Sequence, residues 1–201
     1  MRHNASKPLA LLAMLLLPLA ASAHTGADGG LHHGFATGFL HPLTGADHLA
    51  AMVAVGLWSA LAARRAWPDL LWAPLAFAGM LLVGALMGLA GVQLPAVEPM
   101  IAASLLVLGL LVATRIHLPA AAAAAVVGVF AVFHGVAHGH ELADGQGAAL
   151  TLAGMVGATV LLHLAGIALG WALRHANAWL PRAAGAAVVA LGATLLSQAL
   201  V

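Results

Sequence analysis

The sequence predicts an all-α polytopic membrane protein, and three observations predict it. The chain of 201 residues is 63% hydrophobic and 6% charged, whereas an ordinary soluble domain carries about 25% charged residues. Its apolar residues fall into runs of about 20, the length that crosses roughly 30 Å of hydrocarbon as a helix. The alternating ten-residue strands of an outer-membrane barrel do not occur, and backbone polar groups in lipid must be satisfied within the segment, so the runs are helices.

The first element reads as a cleavable signal peptide over residues 1–23: Arg2 and Lys7, the apolar run Leu9–Leu19, then Ala21-Ser22-Ala23 before His24. An uncleaved first helix is the alternative. Cleavage leaves 24–201 as a single six-helix transmembrane domain, with His24 at a mature N-terminus where ring and amine can chelate a metal together. A short outer or re-entrant segment over Gly30–Leu40 then precedes the first span. Gly38, Pro42 and Gly45 interrupt that span, which is therefore expected to break near His41. Broken backbone at membrane depth is tolerated only where it is buried in protein or lines a cavity.

Spans are expected over 42–63, 69–90, 96–114, 119–140, 148–173 and 182–200. Pro68, Pro95, Pro119 and Pro181 fall at or near their starts, where a missing N–H costs least. Arg64, Arg65, Arg115, Arg174 and Arg182 all occupy the loops after spans one, three and five. By the positive-inside rule that side is cytoplasmic, so the mature N-terminus lies outside a bacterial inner membrane. Asp28, Glu98, Glu141 and Asp144 then lie near the outer face, where they attract cations.

Two polar islands interrupt this apolar chain. His41-Pro42-Leu43-Thr44-Gly45-Ala46-Asp47-His48, with Met52 beyond, opens span one; Phe133-His134-Gly135-Val136-Ala137-His138-Gly139-His140-Glu141 closes span four. Span one runs inward and span four outward, so both islands lie in the outer half of the bilayer. They head two groups of three helices, and an odd number per group inverts the second. On a helix His134, His138 and Glu141 share a face, and His48 and Met52 lie about 40° apart. His41 joins that face only if helical geometry reaches back past Pro42. Asp47 can ligate directly or orient a ligating ring.

Ionisable groups at membrane depth are expensive and mark ion pathways. Imidazole and carboxylate donors suit a borderline divalent transition metal. With no cysteine, histidine (12 copies) is the principal ligand type. His163, near the middle of span five, is a candidate deeper relay, with an interhelical hydrogen bond as the bland alternative. Met52 reads as core filler, and His117, His140 and His175 as loop, mouth or interface residues. The scattered arginines give no nucleic-acid footprint. The partners expected are the lipid bilayer and a divalent ion.

The pairing of His-Pro-x-x-Gly-x-Asp-His-x3-Met (41–52) with Phe-His-Gly-x-Ala-His-Gly-x-Glu (133–141), in six spans behind a signal peptide, resembles the HupE/UreJ family of hydrogenase and urease accessory membrane proteins. The resemblance implies a nickel permease, with cobalt as a second cargo, supplying hydrogenase or urease maturation. It assigns the metal site to His41, Asp47, His48, His134, His138 and Glu141. Ligand type alone does not separate nickel from cobalt or zinc. Two other classes compete, a haem-binding redox subunit and a membrane-embedded metal-dependent enzyme. Haem needs axial histidines on opposite faces of its ring, which His134 and His138 on one helical turn do not supply. No His-Glu-x-x-His motif occurs, no nucleotide-binding motif is present, and no organic cofactor is expected.

Overall fold

The computed structural model describes residues 34–64, 68–143 and 147–200. The signal peptide expected over residues 1–23 and His24 lie outside these residues. Seven helices are described: α1 (Phe35–Thr44), α2 (Ala46–Ala62), α3 (Asp69–Leu89), α4 (Val97–Thr114), α5 (Ala120–Leu142), α6 (Ala148–Leu173) and α7 (Trp179–Ala199). Helices α3 to α7 are each long and apolar enough to cross a membrane. The pair α1 and α2 makes a sixth candidate span, bent by 83° at its break.

The first span is broken as expected, and the break falls at Gly45, one turn past His41, which lies in the last turn of α1. Pro42 has no N–H for the carbonyl four residues back and so costs α1 one hydrogen bond, in the turn where the helix ends. The Gly45 N–H donates to the carbonyl of His41 and closes α1, while the Gly45 carbonyl accepts from the N–H of Leu49 and opens α2. One residue thus ends one helix and starts the next. A side chain there would crowd the site, since a Cβ on Gly45 would lie 3.1 Å from Asp47 Oδ1 and 3.3 Å from His48 Nδ1.

Helix α2 is the axis of the bundle, with Ala51 to Leu61 buried apart from Val53, and its backbone runs closely against every other helix but α5, which it meets through side chains. The principal pairs are α2 with α6, α3 with α5 and α4 with α7. Exchanging the first three spans for the last three maps this pattern onto itself, as an inverted repeat requires. Glycines set the closest approaches. A methyl on Gly56 would overlap the His163 carbonyl, and one on Gly135 would overlap the Leu81 carbonyl. In lipid no hydrophobic force pulls helices together, so this small-residue packing supplies the contact.

The ends of the bundle differ chemically. Where α2 stops, its carbonyls at Ala62 and Ala63 are capped by His117 Nδ1 at 3.1 Å and by the Arg174 guanidinium, and Trp58 Nε1 donates to Ile116 at 2.9 Å. Cations at a helix C-terminus satisfy its orphan carbonyls and its dipole. Arg64, Arg115 and Arg174 therefore cluster at one end. At the opposite end His140 Nε2 bonds the Val92 carbonyl at 2.9 Å, which ties the α5 terminus to the α3–α4 loop.

Candidate metal centre

Four imidazoles and two carboxylates meet at the end away from the arginines. The last turn of α1 carries His41, the first turn of α2 carries Asp47 and His48, and the last three turns of α5 carry His134, His138 and Glu141. The 83° bend swings His41 over the mouth of α2, so His41 joins the cluster by a change of helix direction and not by a continuing helical face. Its ring centroid lies 4.8 Å from that of His138 and 6.0 Å from that of His48. His48 in turn lies 4.3 Å from His138 and 5.0 Å from His134. Rings this close leave no slot for a macrocycle between them.

The cluster has an outer and an inner layer. His41, His138 and Glu141 each offer a donor atom within 4.8 Å of the other two, a spacing that can hold one ion. Glu141 Oε2 bridges them, 3.5 Å from His41 Nε2 and 3.4 Å from His138 Nδ1. The His41 and Glu141 side chains are 26% and 39% exposed, so this layer opens to the surface. Beneath it His48 and His134 are fully buried. Asp47 Oδ1 lies 3.0 Å from His48 Nδ1. A carboxylate there favours the proton on Nδ1 and leaves the lone pair on Nε2 for a ligand.

Of the residues the sequence singles out, the structure therefore brings together His41, Asp47, His48, His134, His138 and Glu141. Met52 is buried in the hydrophobic core and His175 is exposed. His163 is separate from the cluster. Its ring sits 5.4 Å from that of Phe77, which in turn lies 5.7 Å from the ring of His134. His163 Nε2 is buried with no hydrogen-bond partner. Sequence reasoning missed Phe77, which is ordinary core composition in a helix. It also missed Ser104, a buried hydroxyl in apolar α4 that hydrogen-bonds His134 Nε2 at 3.0 Å.

The family model described as HupE / UreJ protein matches residues 12–195, both islands included. The chain belongs to the HupE / UreJ family. This family comprises accessory membrane proteins of nickel and cobalt handling and not enzymes. Among curated relatives, Protein HupE of Rhizobium leguminosarum bv. viciae is 44% identical over 95% of this chain and 97% of its own length. No solved structure matches the chain. As a HupE / UreJ protein the chain is a multi-pass membrane protein whose motif residues form one cluster.

Proposed function

We propose that this HupE / UreJ protein is a secondary permease that imports nickel, with cobalt as a second cargo, from the periplasm across the bacterial inner membrane for nickel-enzyme maturation. The observation that carries this reading is the outer triad, in which His41, His138 and Glu141 place three donor atoms within 4.8 Å of one another directly above the buried His48 and His134. Mixed imidazole and carboxylate donors match nickel and cobalt better than calcium or magnesium. The triad, open to the surface through His41 and Glu141, captures the ion, and His48, His134 and Asp47 take it deeper through the shared ligand His138. Phe77 stands between this cluster and His163, the next imidazole on the way inward.

An interior-negative potential supplies the drive. A divalent ion gains about 4.6 kcal/mol at 100 mV, twice the single-charge value, so no nucleotide is needed. The arginines at the end opposite the cluster support an outward-facing mouth.

Uptake of radiolabelled nickel into proteoliposomes holding only this protein tests the reading, with cobalt and zinc as competitors and with and without an imposed potential. Potential-dependent uptake blocked by cobalt is expected; no uptake above protein-free vesicles overturns it. Orientation is tested on the cysteine-free chain. Val92→Cys should label from outside intact spheroplasts and His175→Cys only after lysis, and the reverse pattern would invert the entrance.

A further inference from the structure

Ser104 sits on α4, a helix that contributes neither imidazole nor carboxylate to the cluster, and both Ser104 and His134 are 0% exposed. Its Oγ lies 2.6 Å from the Ile101 carbonyl oxygen and 3.0 Å from His134 Nε2. A hydroxyl has one proton to donate, and a carbonyl oxygen has only lone pairs. The proton therefore points to Ile101, and Ser104 Oγ accepts from the ring. His134 Nε2 carries the hydrogen and Nδ1 carries the lone pair. A neutral imidazole ligates only through its unprotonated nitrogen, so the partner of one nitrogen decides the role of the other.

We propose that Ser104 is a positioning residue of the metal site, holding His134 in the Nε2–H form so that Nδ1 is its ligating atom. This rests on the reading of the cluster as a metal site. Ser104 never touches the ion. Its effect passes through the ring of His134, which packs 5.0 Å from that of His48 on one side and 5.7 Å from that of Phe77 on another. The neighbouring rings restrain the position of the imidazole, and the hydroxyl selects its tautomer. Outer partners of ligating imidazoles typically change metal affinity about 10- to 100-fold.

Nickel titration calorimetry on the purified full-length protein tests the proposal with Ser104→Ala, Ser104→Thr and His134→Ala, alongside nitrogen-15 spectra of histidine-labelled protein. Ser104→Ala should weaken nickel binding about 10- to 100-fold, and Ser104→Thr, which restores the hydroxyl, should return it to within a few-fold of the parent. The parent's His134 ring should show hydrogen on Nε2 alone, with a second tautomer appearing in Ser104→Ala. Parent-like binding by Ser104→Ala beside weakened binding by His134→Ala overturns the positioning role and leaves the metal site standing. No nickel binding by the parent overturns the metal reading and this proposal together, whereas full binding by His134→Ala removes His134 from the ligands and overturns this proposal alone. Where Ser104→Ala fails to insert, the parent spectrum decides, because hydrogen on Nδ1 of His134 contradicts the assignment.

Discussion

His41 Nε2 lies 3.5 Å from Glu141 Oε2, although one residue sits in the last turn of the ten-residue α1 and the other in the last turn of α5. The same carboxylate oxygen is 3.4 Å from His138 Nδ1, so Glu141 draws imidazoles from two helices toward one point. Removing that oxygen should loosen capture without touching the buried layer. Glu141→Gln is expected to raise the nickel concentration for half-maximal uptake about tenfold with a near-parental maximal rate; a loss of maximal rate alone would remove Glu141 from capture.

His138 contacts both layers, at 4.8 Å from His41 and 4.3 Å from His48 between ring centroids. Its replacement by alanine should therefore reduce nickel uptake to the level of empty vesicles while membrane insertion is retained. Uptake within about twofold of the parent would exclude His138 as the shared ligand.

Gly45→Ala places a methyl group 3.1 Å from Asp47 Oδ1 and 3.3 Å from His48 Nδ1, tight enough to displace one or both. Nickel affinity should fall about tenfold. Gly34→Ala is the matched control, since a Cβ there meets nothing within 4 Å, and it should bind as the parent does.

Protons compete with metal for imidazole nitrogen, and histidine titrates in water at about 6.5. The sign follows directly: protonation removes the lone pair, so uptake should be maximal above that range and fall as the outside solution is acidified through it. Uptake measured at fixed potential from neutral to acid checks this, and a flat profile argues against imidazole ligation.

Phe77 is fully buried between His134 and His163. If the ion passes this ring, its bulk governs rate and not affinity. Phe77→Leu should leave nickel binding within about threefold of the parent while raising the rate of uptake. Phe77→Ala is a poorer probe, because truncating a buried phenylalanine costs about 3–5 kcal/mol of stability. Unchanged uptake by Phe77→Leu would place the route elsewhere.

The placing of the apolar spans and the separation of arginines from motif residues were legible in the sequence, because they depend on segment length, apolar runs and charge, each local to its stretch. The boundaries predicted for the second to fifth spans agree with α3 to α6 to within two residues. The motif residues were legible too, since an ionisable side chain stands out against lipid-soluble neighbours. The tertiary structure alone decided how they combine. Gly45 carries the bend because it can serve two helices at once, and its direction is set where α1 packs on α6, Gly38 against Thr151 and Gly154 against Phe35. No helical wheel could bring His41 to Glu141, because their meeting depends on that bend. Ser104 and Phe77 carried no local signal either. A serine and a phenylalanine in apolar helices acquire a role only from what faces them across a helix interface, and that is decided by the packing of the whole bundle.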